Sequence, residues 1–117
     1  MQIKRRPMKL SDLVENLSLE VKSFKDGLQN EITGAYVSDL LSDVMANSKE
    51  GDVWITLQTH INIVAVASLK GIRGIIIVSG RQVEEAVLKK AEEEKVTVMI
   101  APLSAFEIAG RIYQLLK

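Results

Sequence analysis

The stretch from Gly51 to Gly80, GDVWITLQTHINIVAVASLKGIRGIIIVSG, leaves a chain of this kind few ways to fold. Val53–Leu57 is a short run rich in β-branched residues, His60–Leu69 has helical character, and Ile75–Val78 is continuously apolar. A strand that is apolar at every position has both of its faces covered. Two such strands joined by a helix form a parallel pair. The unit places two loops, Gln58–Asn62 and Ser79–Arg81, at the carboxyl ends of neighbouring strands. Open α/β sheets collect their ligands at that edge, so the pattern locates a site before it assigns any chemistry.

The alternation continues downstream. Gln82–Lys95 reads as a helix with Glu84 and Glu85 in its first turn, where they complement the helix dipole, and with Glu85 and Lys89 spaced i, i+4. Val96–Ala101 is another apolar strand, stopped by Pro102, and Ser104 can cap a last helix running to Leu116. Upstream, Leu10, Leu13, Val14 and Leu17 give Lys9–Leu17 a helical stripe. Leu19–Phe24 alternates like an edge strand, Asp26-Gly27 marks a turn, and Ile32–Val37 reads as a further strand. Ser38 has the character of an N-cap for a helix that buries Leu40, Leu41, Val44 and Met45. The expected fold is α/β: a single domain over residues 1–117, in three layers, with a central mostly parallel sheet and helices on both faces. Val53–Leu57, Ile75–Val78 and Val96–Ala101 are its expected buried strands. Leu19–Phe24 and Ile32–Val37 are expected toward an edge or in a small separate pair.

Composition narrows the partners. Fifteen basic residues balance fifteen acidic ones, which argues against a nucleic-acid or membrane-surface partner. The one basic cluster, Lys4-Arg5-Arg6 with Lys9 nearby, reads as a solvated terminus. The absence of cysteine excludes a disulfide framework, a thiolate metal site and a cysteine nucleophile. No apolar run reaches the length of a membrane span, and Met1–Leu10 lacks the apolar core of a signal peptide. A cytoplasmic location is the expectation.

Two loops hold the candidate ligand-binding residues. In the first, Gln58, Thr59, His60 and Asn62 form the most polar loop of the central unit. Thr59 is placed to cap the following helix, leaving backbone N–H groups toward an anion. His60 can donate to a phosphate, and imidazole changes charge near neutral pH. In the second, Ser79, Gly80 and Arg81 follow a buried strand and precede a helix. Glycine allows close backbone approach and arginine pairs with phosphate or carboxylate. The competing reading is structural: a Thr cap, a half-exposed His and an ordinary strand-to-helix turn. A single glycine is not a phosphate-binding glycine series, and a single histidine without a neighbouring carboxylate is not a catalytic motif. No GxxxxGK[ST], HExxH or GxSxG pattern occurs.

The helix Ile61–Leu69 has almost no polar face. A helix apolar all round must be covered on more than one side. Either it is central, or a second subunit covers part of it. Trp54, the single tryptophan, is either an anchor of such an interface or a core residue.

The patterns ITGAYVSDLLSDVMANS, GDVWITLQTHINIVAVASLKGIRGIIIVSG and VTVMIAPLSAFEIAGRIY together resemble the DRTGG domain, from about Met8 to Tyr113. The chain is similar also to the amino-terminal domain of HPr kinase/phosphorylase, which carries no catalytic residues. The resemblance implies an accessory, regulatory domain of the sort found beside CBS domains in some pyrophosphatases. The Asp-Arg pair that names the family falls at Thr59-His60, and the Thr-Gly-Gly at Val78-Ser79-Gly80, where only Gly80 keeps its type.

The leading expectation is a non-enzymatic regulatory or protein-associating domain without a cofactor. It is expected to form a C2 homodimer and to act on a separately encoded protein. The alternative is a binding module for a small anionic ligand, such as a nucleotide or phosphorylated metabolite, at the strand carboxyl ends. A hydrolase or transferase using His60 is a third class. The expected ligand contacts are Gln58, Thr59, His60, Asn62, Ser79, Gly80 and Arg81.

Overall fold

Period-two alternation along three central strands sends side chains to opposite faces of one sheet and makes two separate apolar cores. The computed structural model describes residues 7–117, so the Lys4-Arg5-Arg6 cluster lies outside the described residues. The main sheet contains β2 (Glu20–Val21), β4 (Gly34–Val37), β5 (Asp52–Thr56), β6 (Gly74–Ile77) and β7 (Val98–Ile100). Its order is β2-β7-β6-β5-β4, with β4 to β7 parallel and β2 antiparallel to β7. A second small sheet pairs β1 (Met8–Lys9) with β3 (Glu31–Ile32) antiparallel.

On one face, Val53, Ile55, Ile76 and Met99 pack against Leu10, Leu13 and Leu17 of α1 (Leu10–Leu17) and Ile108, Ile112 and Leu116 of α5 (Ala105–Leu116). On the other, Trp54, Ile75, Ile77 and Val98 meet α2 (Leu41–Asn47), α3 (Asn62–Lys70) and α4 (Glu85–Glu93). The expected three-layer α/β architecture is what forms, with the three named strands buried and mutually parallel. The parallel strands advance in one direction only, β4 to β5 to β6 to β7. Crossovers of one hand then bring all three connecting helices to the same face.

This arrangement explains the unusual helix. α3 lies between α2 and α4 and over the sheet, with Ile63 and Val64 fully buried and Val66 and Ala67 nearly so. It is apolar because it is the central helix of its layer. Leu69, at its end, stays 75% exposed. Trp54 is likewise a core residue: it is fully buried, and its indole N–H donates to the Ser38 carbonyl at 2.8 Å.

Several boundaries differ from the sequence pattern. The Ile32–Val37 run divides at Thr33, whose N–H donates to the Gly51 carbonyl, so its two halves join different sheets. The Leu19–Phe24 strand is shorter than its alternation suggests. Beyond Lys22, the Ser23 hydroxyl takes over, donating to the Val96 carbonyl and accepting from the Val98 N–H. The Asp26-Gly27 turn is part of a 3-10 helix, Lys25–Gln29. Ser38 is not the cap of α2, which starts after Leu40; its hydroxyl accepts from the Leu40 N–H instead. The helix placed at Gln82 begins only at Glu85, which leaves a long loop after β6. Among the described residues, no helix is long and apolar enough to cross a membrane.

Candidate functional site

Three parallel strands, β4, β5 and β6, release their chains at one edge of the sheet, and a single carboxylate organises two of the exits. Asp39, just past β4, accepts from the Thr56 hydroxyl at 2.8 Å and from the Leu57 N–H at 2.7 Å through the same Oδ1. The Gln58 side-chain amide returns the link by donating to the Asp39 carbonyl at 2.8 Å. The Gln58 N–H donates to the Thr56 hydroxyl at 3.0 Å. The loop after β5 is thereby tied to the loop after β4.

The third exit is tied in by Arg81, whose Nη1 donates to the Leu57 carbonyl at 2.9 Å. One guanidinium offers five donors. The described residues include no carboxylate within ion-pair distance of Arg81. Its charge stands at the mouth of a cleft of about 660 Å³. That volume is in the range of small-molecule sites. Gln58, Thr59, His60 and Arg81 line it together with Asp39, Gln82 and Glu84, and Leu57, Ile61, Ala86 and Val87 supply apolar wall.

The seven residues expected to bind a ligand therefore divide. Gln58, Thr59, His60 and Arg81 converge on the cleft; Asn62, Ser79 and Gly80 are not among its lining residues. The reason is hydrogen bonding. The Ser79 and Gly80 N–H groups donate to the Leu103 and Ala101 carbonyls, each at 2.8 Å, which binds their turn to the neighbouring loop. Their N–H groups are consequently not open to an anion. Both residues have left-handed backbones, with φ of +59° at Ser79 and +65° at Gly80. Only glycine adopts that region without steric cost.

The start of α3 also departs from expectation. Thr59 does not cap it. His60 does the equivalent work, with Nδ1 accepting from the Asn62 N–H at 3.1 Å while its carbonyl accepts from Ile63. Nδ1 thus serves as an acceptor at the start of the helix. The first N–H groups of α3 are already engaged, whereas α4 has no side-chain cap at its N-terminus, where Glu84, Ala86 and Val87 border the cleft. The parallel strands never reverse order, so the cleft is not a switch-point crevice between helices on opposite faces. It arises from the length of the β6–α4 loop and the carboxylate anchor at Asp39. Sequence reasoning missed Asp39 and Glu84; the position of Asp39 just after a parallel strand was the available signal.

Away from the residues that line the cleft, Tyr36 and Asn47 both donate to Asp43 Oδ1 at 2.8 Å. Hydrogen bonding from Asn47 first, then from Ser38 and Tyr36, holds the Asp43 carboxyl below its ordinary range. The bond to Asp43, then burial, pushes the Tyr36 hydroxyl up. Among the described residues, no three His, Asp or Glu side chains gather in a way that could hold a metal ion.

A family model described as the DRTGG domain matches residues 12–115. No curated protein matches the chain. Among solved structures, the chain is similar to the CBS and DRTGG domains of the regulatory region of Clostridium perfringens pyrophosphatase, a complex with the activator diadenosine tetraphosphate. The two share 19% identity with a TM-score of 0.72, over 92% of this chain and 47% of that one. The chain spans about half the length of that structure's chain, and at this identity the likeness establishes the fold.

Proposed function

The chain belongs to the DRTGG domain family, and from that premise we propose that it is a non-catalytic regulatory domain that takes a small anionic ligand, such as a nucleotide or phosphorylated metabolite, in the cleft at the strand carboxyl ends. One observation carries this reading: Arg81 reaches across from the β6 loop to the β5 loop and leaves its remaining donors over the cleft. A cationic group held between two loops is suited to a phosphate that bridges them. The mixed lining favours a nucleotide over inorganic phosphate. Arg81 and His60 suit the phosphate, the Asp39 and Glu84 carboxylates and Gln58 suit hydroxyl and amino groups, and Ile61 and Val87 suit a flat ring. The regulatory region of the similar pyrophosphatase structure is complexed with a dinucleotide activator, which supports a regulatory role for a related fold.

A second reading, protein association, is favoured by large apolar side chains left in water. Leu40 is 64% exposed, Leu69 75% and Phe106 88%. The two readings are compatible: one domain over residues 1–117, forming a cytoplasmic homodimer, passes ligand occupancy on to a separately encoded protein. Neither a nucleic acid nor a membrane is its partner, in keeping with the balanced charge.

The test is a thermal-shift screen against nucleotides and phosphorylated metabolites, followed by amide chemical-shift mapping of any hit. Binding at a hundredfold excess over Kd stabilises the native state by about 2.7 kcal/mol. Shifts centred on residues 57–61 and 81–87 are expected. Shifts confined to other surfaces reject this site, and a screen with no hit leaves association as the function.

A further inference from the structure

We propose that α5 is a self-complementary docking face at which a second copy of this chain binds antiparallel, with Phe106 of each copy seated against Gly110 of the other. The inference rests on the associating role just proposed and gives it a surface. Phe106 is 88% exposed on a helix whose opposite side is fully buried. Gly110 follows it by one turn on the same exposed stripe. Glycine within a helix costs about 1 kcal/mol relative to alanine. Nothing inside the protomer accounts for that cost, because a Cβ at Gly110 would meet no atom within 4 Å. The gap is a hole without a knob, and Phe106 is a knob without a hole.

Two-fold symmetry makes these features answer each other. A two-fold axis passing at the level midway between positions 106 and 110 brings residue 106 of one helix opposite residue 110 of its antiparallel partner, and the reverse. This reciprocity is what an isologous interface requires. The hole is also more than a missing side chain. A groove of about 540 Å³ runs alongside Gly110, with Leu17, Leu115 and the protomer's own Phe106 as its apolar lining and Asn16, Glu107, Arg111 and Gln114 as its polar one. An incoming phenyl ring would be covered there.

Charge follows the same symmetry. Glu107 and Arg111 flank the stripe on one side, and neither forms an ion pair among the described residues. The axis that pairs 106 with 110 places the flanks of the two helices side by side. Glu107 of one copy then lies next to Arg111 of the other, less than a turn apart along the helix. An apolar centre beside a charged rim is ordinary interface anatomy. A contact limited to one short helix lies at the small end of interfaces, so exchange between monomer and dimer is expected to be rapid.

The experiment is sedimentation of the full chain over roughly 1–500 µM, a range set by so small a contact, with variants that leave the protomer core alone. Gly110→Gln fills the hole and raises helix propensity. It should raise the dimer dissociation constant at least tenfold while the thermal midpoint of the dilute protein holds or rises. Phe106→Ser should weaken the dimer to a similar degree. Glu107→Arg and Arg111→Glu should each weaken it, and the double exchange should restore it; circular dichroism checks that each variant keeps its helices. A wild-type chain that stays monomeric throughout the range overturns both this inference and the homodimer reading. A dimer that tolerates Gly110→Gln and Phe106→Ser overturns this interface alone. Neither outcome touches the ligand cleft, which is tested separately by its own titration.

Discussion

Arg81 Nη1 lies 2.9 Å from the carbonyl oxygen of Leu57 and clamps the loop after β6 to the loop after β5. The clamp decides which residues can share a ligand, because it draws together two loops that leave adjacent strands. Its removal should therefore do two things at once: open the cleft and take away its strongest cation.

Arg81→Ala should weaken binding of a nucleotide or of sulfate by tenfold or more, which corresponds to about 1.4 kcal/mol. Arg81→Lys should recover only part of it, since lysine offers a point charge where the guanidinium offers a fork. Calorimetric titration measures both. An Arg81→Ala protein that binds as tightly as wild type removes the guanidinium from the site.

Ser79→Gly should stabilise the domain by about 0.5–1 kcal/mol, since it relieves a left-handed backbone at the cost of some chain entropy. The observed φ of +59° motivates it. The Ser79 N–H would keep its bond to Leu103, so the turn should survive. A urea midpoint that rises with unchanged slope is the expected result; a fall would mean that the serine hydroxyl matters more than its backbone.

Trp54→Ala should cost about 3–5 kcal/mol as a core truncation and unfold much of the protein rather than yield a folded monomer. Trp54 is fully buried and bonded to Ser38. Trp54→Phe should cost less, about 1–3 kcal/mol, for the lost volume and an unsatisfied carbonyl. Val64→Glu places a charge in the fully buried centre of α3 and should also unfold. Chemical denaturation with far-ultraviolet circular dichroism distinguishes unfolding from dissociation.

Asp43 has its carboxyl held below the ordinary range by bonds from Asn47, Ser38 and Tyr36. A depressed folded value means that the carboxylate contributes stability above the unfolded value and loses it as pH falls through the folded one. Wild type should consequently be more stable than Asp43→Asn at neutral pH, and the difference should vanish below the usual carboxylate range. The raised Tyr36 hydroxyl acts oppositely at high pH: its contribution is present below the usual tyrosine range and fades above it. Denaturant midpoints measured from acid to alkali report both; a pH-independent difference would exclude Asp43 as the titrating group.

Much of the architecture was written locally. The continuous apolar runs at Ile75–Val78 and Val96–Ala101 require cover on both faces, so a parallel central sheet follows from hydrophobic pattern alone. The convergence of Gln58, Thr59, His60 and Arg81 was legible for the same reason, because parallel strands release their loops at one edge. Local pattern could not decide who satisfies whose backbone. Ser79 and Gly80 have the composition of an anion-binding turn, yet their N–H groups are spent on Ala101 and Leu103, residues that only the folded sheet brings near. Thr59 has the character of a cap, yet His60 accepts the bond at the start of α3. The apolar helix was ambiguous in sequence because hydrophobicity counts how many sides are covered and not by what; the sheet, α2 and α4 cover it. Asp39 became a site residue only when β4 came to lie beside β5. Propensity and periodicity determine where strands and helices form. Long-range hydrogen bonds, which link residues far apart in the chain, are decided by tertiary structure.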